Sequence, residues 1–298
     1  MRRLQEKNHM FGECHAHIFM NGYNYRLAVA THRAAPRESL IREKLKAYQK
    51  LGVTFVRDGG DRFGVSLLAK KLAPEYGITY LTPGYAIHKN GCYGHVVGEG
   101  FDNLREYEGL VKKLVAQGGD FVKIMTTGIL DFDTDGHITG QRLAATEVRE
   151  MVKIAHDRGL KVMSHTNGAQ AVIEAVEAGV DSVEHGNYQT EESLECMAEH
   201  PVVWVPTLVT VRNLIGCGRF SDALLEQIAR GQRTSLQMAY QKKVSMALGS
   251  DAGAYMVPHG IGIVDEQAVF YRILGDGEGV NAHLRRGEGK IHLFTKSS

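Results

Sequence analysis

Two histidines separated by one residue, His15 and His17, lie in a short apolar run near the beginning of the sequence. If this run is a β-strand, the alternation of side chains directs both imidazoles to the same side. Two neutral imidazoles on one face can supply half of the ligands of a divalent metal ion. An H-x-H pair alone is a weak signal, because a single histidine in an apolar strand is usually a hydrogen-bonded structural residue.

Further polar residues stand at the ends of other apolar runs. These residues are Lys123, His165, His185 and Asp251. Asp251, in the segment GSDAG, has an alternative role as a turn former. Together with the first two histidines, they give six candidate ligands at the ends of five predicted strands. The combination favours a metal centre over a set of unrelated structural residues.

Lys123 is the unusual member of this set, because it lies in the apolar run FVKIM at residues 121–125. A lysine ammonium is rarely fully buried, and burial lowers its pKa by disfavouring the charged form. A neutral amine can react with carbon dioxide to give a carbamate, whose two oxygens are suited to bridging two metal ions. The competing hypothesis is a Schiff-base lysine, as in an aldolase, which leaves the four histidines without a role.

The elements that must position these residues alternate along the chain. Short apolar runs are followed by amphipathic stretches with helical spacing, and we count eight such pairs. Strands that alternate with helices indicate a parallel sheet. Eight pairs favour a (β/α)8 TIM barrel, an α/β fold, whose active site lies at the C-terminal ends of the strands. We expect one barrel domain over residues 1–298, with poorly defined tails at 1–12 and 278–298.

The composition argues against several classes of function. The net charge is +1 and the basic residues are scattered, which disfavours a nucleic-acid-binding surface. We find no apolar run of about 18 residues that would predict a membrane span, and the basic start MRRLQEKNHMFGE lacks the apolar segment of a secretory signal. The four cysteines show no C-x-x-C spacing, which favours reduced thiols and a cytoplasmic location. We expect a small-molecule substrate as the partner.

The order and spacing of the strand-end residues resemble those of the amidohydrolase superfamily: H-x-H on the first strand, lysine on the fourth, histidine on the fifth and sixth, and aspartate on the eighth. The segments VTFVRDGG, VKIMTTG, AGVDSVEHG and GSDAG are most similar to its imidazolonepropionase-like and prolidase-like branch. The resemblance extends from near residue 12 to near residue 275. It implies a metal-dependent hydrolase of C–N bonds.

The resemblance also implies a binuclear centre, usually of zinc, with defined ligands. The implied ligands are His15, His17 and Asp251 for one ion, and His165 and His185 for the other. A carboxylated Lys123 and a hydroxide would bridge the ions. The hydroxide would act as the nucleophile, and Asp251 would accept its proton and pass it to the leaving amine.

The two ends of the sequence depart from the family pattern. Most relatives have a longer segment before H-x-H and a returning C-terminal segment, which together form a small β-sandwich. We therefore expect a barrel that lacks this sandwich. A second copy of the chain, in a homo-oligomer, is a candidate for covering the barrel surface left open.

The resemblance points to two further residues near the reacting bond. His95, in the Gly-rich loop after the third strand, matches a histidine that would bind a substrate carboxylate or carbonyl; the alternative is an exposed loop residue. Tyr188, three residues after His185, matches a tyrosine that donates to the reacting carbonyl oxygen. Its alternative is packing at the end of a strand.

Arg57, on the second strand, is a candidate for pairing with a substrate carboxylate or with a neighbouring aspartate, and His259 is expected in the loop over the barrel mouth. A carboxylate-binding set of His95, Tyr188 and Arg57 favours dipeptides or N-acyl amino acids as substrates. Cyclic amides, carbamates, ureas and organophosphate or other esters are alternatives, because the same hydroxide serves them. A lysine-dependent lyase and a non-catalytic metal-binding protein are the alternatives from other classes.

Overall fold

The computed structural model describes residues 10–295, which contain nine strands and eleven α-helices. The strands are β1 (Glu13–Ala16), β2 (Phe55–Asp58), β3 (Thr79–Leu81), β4 (Ala86–Lys89), β5 (Gly98–Phe101), β6 (Val122–Met125), β7 (Val162–Thr166), β8 (Ser182–His185) and β9 (Val203–Val205). The helices are α1 (Tyr25–His32), α2 (Glu38–Lys50), α3 (Val65–Leu72), α4 (Leu104–Ala116), α5 (Ala145–His156), α6 (Ala169–Glu177), α7 (Glu191–Glu199), α8 (Val209–Arg212), α9 (Asp222–Gln241), α10 (Ile261–Leu274) and α11 (Glu278–Ile291).

The strands form two sheets in which every pairing is parallel. One sheet has the order β1-β2-β3, and the other has the order β5-β4-β6-β7-β8-β9. Parallel neighbours need a crossover connection, and helices supply most of these crossovers along the chain. The Gly-rich stretch between β3 and α4, predicted as a loop, contains the additional short strands β4 and β5.

Residues 245–252 lie between the two sheets, in the position of an eighth barrel strand. The amide of Trp204 in β9 donates to the carbonyl of Ser245 at 2.8 Å, and the amide of Cys14 in β1 donates to the carbonyl of Leu248 at 3.0 Å. The sequence predicts a regular strand here, whereas the structure has isolated parallel bridges. Gly249 and the left-handed residue Asp251 within this segment disfavour a regular strand.

A further hydrogen bond connects the other edge of the first sheet to the second sheet. The amide of Asp120, just before β6, donates to the carbonyl of Thr82, just after β3, at 2.8 Å. The order of the parallel strands and their connections is that of a TIM-barrel-like fold, as the sequence predicts. The C-terminal ends of the strands therefore lie on one face of the molecule, where the six candidate ligands were expected.

Helical spacing and capping signals explain the outer helices. In α2 the side chains of Ile41, Leu45 and Tyr48 recur at helical intervals and are buried. The helix α4 begins after Asn103, whose side chain accepts a hydrogen bond from the amide of Glu106. No helix within residues 10–295 is both long and apolar enough to cross a membrane.

The segment 278–298, expected to be a poorly defined tail, is instead ordered over most of its length. It forms α11, in which Leu284 and Ile291 are fully buried. Phe294 then packs edge-on against Phe121, with ring centroids 5.6 Å apart, beside the beginning of β6. These widely spaced apolar residues anchor the helix, although the polar residues between them dominate the composition.

The tail expected at residues 1–12 is described from Met10 onward, and residues 1–9 lie outside the described part. Phe11 is buried, and the amide of Gly12 donates to Oε1 of Glu288 at 3.0 Å. A Cβ atom at Gly12 would lie 2.9 Å from this oxygen, so the absence of a side chain permits the contact. Residues 10–12 are therefore held against α11.

Candidate metal centre

The four strand-end histidines come together with Asp251 at the C-terminal face of the barrel. The ring centroid of His15 lies 5.5 Å from that of His17 and 5.0 Å from that of His185, which is in turn 4.6 Å from that of His165. Oδ1 of Asp251 lies 3.7 Å from Nε2 of His15 and 3.8 Å from Nε2 of His17. Ligands of a tetrahedral zinc ion are separated by about 3.4 Å, so these atoms have the spacing of metal ligands rather than of hydrogen-bond partners.

Each imidazole has one ring nitrogen held by a protein oxygen. The pairs are His15 Nδ1 with Glu184 Oε2 at 2.7 Å, His17 Nδ1 with the Gly60 carbonyl at 3.2 Å, His165 Nε2 with the Gly128 carbonyl at 2.9 Å, and His185 Nδ1 with Thr207 Oγ1 at 2.7 Å. A carbonyl or carboxylate can only accept, so in three of the four rings the bonded nitrogen carries the proton. The opposite nitrogen keeps its lone pair, as a metal ligand requires.

The surroundings also keep the histidines neutral. Burial and, to a smaller extent, the charge of Lys123 together lower the pKa of His17 and of His165 to about 3. Burial likewise holds the pKa of His15 and of His185 well below the usual range. Neutral imidazole is the form that binds a metal ion.

Three atoms of the site are buried without a hydrogen-bond partner in the described part of the chain. They are Nε2 of His15, Nζ of Lys123 and Oδ1 of Asp251. A buried polar atom left without a partner costs about 1–3 kcal/mol, so three at one site indicate a missing group that would contact them. Imidazole nitrogens and a carboxylate oxygen form a donor set that fits a divalent ion such as zinc.

Lys123 lies in β6, where all four side chains are buried, and is 1% exposed. Burial lowers the pKa of its ammonium, while the charges of Glu184 and Asp251 oppose the shift. Burial raises the pKa of Asp251, and the charge of Lys123 counteracts this. Without a further ligand, burial therefore disfavours the ammonium form of Lys123 and the carboxylate form of Asp251. The neutral amine of Lys123 is the form that reacts with carbon dioxide.

Arg57 is paired with a buried protein carboxylate, and this partner is Glu184 rather than the neighbouring aspartate that the sequence suggested as the alternative to a substrate carboxylate. Its guanidinium is fully buried and donates to Glu184 Oε1 at 2.8 Å, to the hydroxyl of Ser182 at 2.8 Å and to the carbonyl of Cys14 at 2.7 Å. Glu184 in turn binds Nδ1 of His15. Arg57 therefore supports the carboxylate that orients a candidate ligand.

Glu13 is a second buried carboxylate beneath the site, and it was missed in the sequence. Its oxygens accept hydrogen bonds from the amide of Ser250 at 2.7 Å and from the hydroxyl of Ser250 at 2.5 Å. Burial raises the pKa of Glu13 to about 7, although these hydrogen bonds oppose the shift. This contact holds the residue that precedes Asp251. The sequence did contain a signal for both buried carboxylates. Glu13 and Glu184 are each a glutamate in an otherwise largely apolar run, ECHAH and SVEH.

Three polar residues of the site have a left-handed backbone conformation. The φ angles are 66° at His185, 49° at Thr207 and 58° at Asp251. Non-glycine residues adopt this region at a cost of about 1–3 kcal/mol each, and such strain is concentrated at functional sites. The folded barrel thus maintains local conformations that direct these side chains into the centre.

The loop between β4 and β5 presents Tyr93, rather than His95, to the histidines. The Tyr93 ring lies 5.0 Å from the His165 ring at an interplanar angle of 36°. His95 is exposed, and its backbone carbonyl accepts a hydrogen bond from Arg62 at 3.4 Å. The structure therefore does not bring the predicted His95 side chain into the group of strand-end residues.

Tyr188 and His259 have polar atoms that are already bound elsewhere. The hydroxyl of Tyr188 accepts a hydrogen bond from the amide of Gly136 at 3.0 Å and donates to the carboxylate of Asp135. Nδ1 of His259 lies 3.1 Å from the hydroxyl of Tyr48, and its Nε2 lies 2.9 Å from the carbonyl of Met20. His259 therefore supports the segment after β1 in this conformation, and neither residue offers a free group to a substrate.

Comparison with known proteins gives partial sequence matches of low identity, among them the two that follow. An ochratoxinase of Aspergillus niger is 26% identical over 197 residues, which cover 64% of this chain and 39% of that protein. An uncharacterised protein of Mycobacterium bovis is 31% identical over 147 residues, which cover 47% of this chain and 38% of that protein. The chain thus matches less than half the length of each of these relatives.

Similar folds are found among solved structures. A Xaa-Pro dipeptidase with methionine bound in its active site has a TM-score of 0.75 and 21% identity, covering 97% of this chain and 77% of the other. The A. niger ochratoxinase structure has a TM-score of 0.74 and 18% identity, covering 96% and 71% of the two chains. The model of the amidohydrolase family matches residues 13–278, from the first strand into the last helix. The chain belongs to the amidohydrolase family.

Proposed function

We propose that this chain is a metal-dependent hydrolase that cleaves an amide bond. The observation that carries the proposal is the set of unpartnered buried atoms on His15, Lys123 and Asp251, beside imidazoles held neutral. Membership of the amidohydrolase family supports the same reaction class. The names of two similar proteins, an ochratoxinase and a Xaa-Pro dipeptidase, are consistent with it.

The ligands fall into two groups around Lys123. His15, His17 and Asp251 would hold one ion, and His165 and His185 the other, with a carboxylated Lys123 between them. Zinc is favoured because imidazole and carboxylate donors suit it. When bound, the ions would supply a Lewis acid for the carbonyl and lower the pKa of water.

Asp251 is the residue of this group that can move a proton. Its Oδ1 faces Nε2 of His15 and of His17, which leaves Oδ2 to accept a proton from the attacking water. The side chain retains 16% exposure, so it borders the space open to a substrate. The same oxygen would then deliver the proton to the nitrogen of the leaving amine.

Dipeptides and N-acyl amino acids are the favoured substrates within this proposal. The expected carboxylate-binding set does not support this preference in the present conformation, because Arg57 is buried, His95 is exposed on its loop and the hydroxyl of Tyr188 is bound to Gly136. The preference rests instead on the name of the similar Xaa-Pro dipeptidase. Cyclic amides, carbamates, ureas and phosphotriesters therefore belong in any test of specificity. A Schiff-base lyase is disfavoured, because Lys123 is 1% exposed and is surrounded by candidate ligands.

The test combines metal analysis with a substrate panel. Protein reconstituted with zinc and bicarbonate is expected to bind two ions per chain and to hydrolyse at least one amide, and a chelator should abolish the activity reversibly. His185→Asn should reduce the bound metal, whereas His200→Asn, at an exposed position after α7, should not. Activity that survives complete metal removal, or borohydride trapping of a carbonyl substrate on Lys123, would contradict the proposal.

A further inference from the structure

Tyr93 is placed at the candidate metal centre by a short loop with a defined conformation. The adjacent Gly94 has a φ of +131°, and a Cβ atom there would lie 2.7 Å from Cβ of His88 and 2.8 Å from Cγ of Met125. Such close packing requires a glycine and fixes the loop against β4 and the end of β6. The preceding Tyr93 is thereby directed over the ring of His165.

The hydroxyl of Tyr93 has no hydrogen-bond partner in the described part of the chain, unlike those of several other tyrosines. Tyr85 and Tyr107 donate to backbone carbonyls, and the hydroxyl of Tyr188 accepts from Gly136. A phenol is protonated at neutral pH and can donate one hydrogen bond. Tyr93 therefore carries an unused donor beside the candidate ligands.

A further observation shows that Tyr93 is accessible from outside. The residue is 36% exposed, so a ligand that enters from solvent can reach it. Burial, together with the charge of Asp251, raises the pKa of its hydroxyl, which therefore keeps its proton at neutral pH. Tyr93 thus combines a ring held against a candidate ligand with a protonated hydroxyl that a substrate can approach.

We propose that Tyr93 is a further catalytic residue whose hydroxyl donates a hydrogen bond to the carbonyl oxygen of the scissile amide. This inference rests on the proposed amide hydrolysis and names the residue that assists it. Negative charge develops on that oxygen as water attacks the carbonyl carbon, so a donor placed beforehand stabilises the transition state more than the substrate. It assigns to Tyr93 the role that the sequence suggested for Tyr188.

The decisive variant is Tyr93→Phe, which removes the hydroxyl and keeps the ring over His165. With zinc-loaded protein and the best amide of the panel, kcat should fall about 100-fold with little change in KM, as for the loss of one oxyanion donor. The bound metal should be unchanged. The matched variant Tyr76→Phe, which removes a half-buried hydroxyl before the N-terminal end of β3, should retain kcat within about threefold.

A second readout is independent of turnover. Methylphosphonamidates of leucine and of proline carry a tetrahedral phosphoryl group, and calorimetry is expected to show that Tyr93→Phe binds them at least about tenfold more weakly than the unmodified protein. Normal kcat and normal phosphonamidate affinity in Tyr93→Phe would overturn the role of Tyr93 while leaving amide hydrolysis intact. If the unmodified zinc-loaded protein neither hydrolyses an amide nor binds these compounds, the proposed function itself is wrong and the inference fails with it.

Discussion

Nδ1 of His15 lies 2.7 Å from Oε2 of Glu184, and both side chains are fully buried. The other oxygen of Glu184 lies 2.8 Å from Nη2 of Arg57, so a buried cation compensates the carboxylate. The carboxylate fixes the proton of His15 on Nδ1 and turns Nε2 towards Asp251. Contacts of this kind orient metal-binding histidines in other proteins and affect metal affinity.

Removal of Arg57 should destabilise the fold. In Arg57→Met the charge of Glu184 stays buried without its partner, and the free energy of unfolding should fall by about 3–5 kcal/mol. Urea titration of the metal-free protein measures the change. Arg142→Met, which breaks the exposed ion pair with Glu174, is the matched control and should cost no more than about 1 kcal/mol.

The double variant Arg57→Met with Glu184→Gln distinguishes the loss of the Arg57–Glu184 ion pair from other causes of a lower free energy of unfolding. If the ion pair is the cause, the combined loss should be smaller than the sum of the two single losses, because no buried charge is then left alone. Strict additivity would show that Arg57 stabilises through its packing against Phe294 and its other hydrogen bonds instead.

The grouping of the strand-end residues was predictable because it follows local rules. Alternation along β1 and the residue after it places His15 and His17 on one side, and the parallel arrangement brings the ends of distant strands together. The partner of Arg57 was not predictable in this way, because Glu184 is 127 residues away. A single sequence shows a charge in an apolar run but not which opposite charge it meets across the barrel.

The loop residues give a second reason why the site predicted from the sequence differs from the site in the structure. The sequence pointed to His95 through its resemblance to a family histidine, yet the packing at Gly94 holds the loop so that the side chain of Tyr93 contacts His165 instead. Similarly, the hydroxyl of Tyr188 is taken by the amide of Gly136, on a loop 52 residues earlier. Loop conformation depends on such tertiary contacts and has no periodic signal in the sequence.

Lys123 gives a prediction that depends on carbon dioxide. If a carbamate forms, metal-free protein reconstituted with zinc in carbonate-free buffer should bind less metal and show lower activity than protein reconstituted with bicarbonate. Lys123→Ala should have low metal content in both buffers, because it lacks the amine that is carboxylated. Metal content is measured by atomic emission after removal of free zinc. Equal loading of the unmodified protein with and without bicarbonate would argue against the carbamate.

His32 should make stability depend on pH independently of the metal centre. It is buried, and its Nδ1 accepts a hydrogen bond from the amide of Arg37 at 3.1 Å. Burial and, to a smaller extent, the charges of Lys44 and Arg37 together lower the pKa of His32 from 6.5 to about 4. Between pH 4 and pH 6.5 the unfolded chain binds a proton at His32 and the folded chain does not. The contribution of neutral His32 to the free energy of unfolding is therefore fully present above pH 6.5 and is lost as the pH falls towards 4.

His32→Asn removes the titrating group and retains an oxygen that can accept from Arg37. Relative to this variant, the metal-free unmodified protein should lose stability as the pH falls from 7 to 4, as measured by urea midpoints. The other histidines are common to both proteins, so their effects cancel in the difference. Parallel pH profiles would mean that His32 is not responsible.

The backbone at Gly59 packs directly against the ring of the candidate ligand His17. A Cβ atom at this position would lie 2.4 Å from Cε1 and 2.8 Å from Nε2 of His17. Gly59→Ala should therefore displace the imidazole and weaken metal binding by about 10–100-fold, the range seen when ligand support is lost. Zinc titration with a competing chelator measures this effect. The control is Gly109→Ala in α4, where a Cβ atom meets nothing within 4 Å and should raise stability by up to about 1 kcal/mol. Unchanged zinc affinity in Gly59→Ala, with the fold intact by circular dichroism, would show that His17 can move without loss and is not a required ligand.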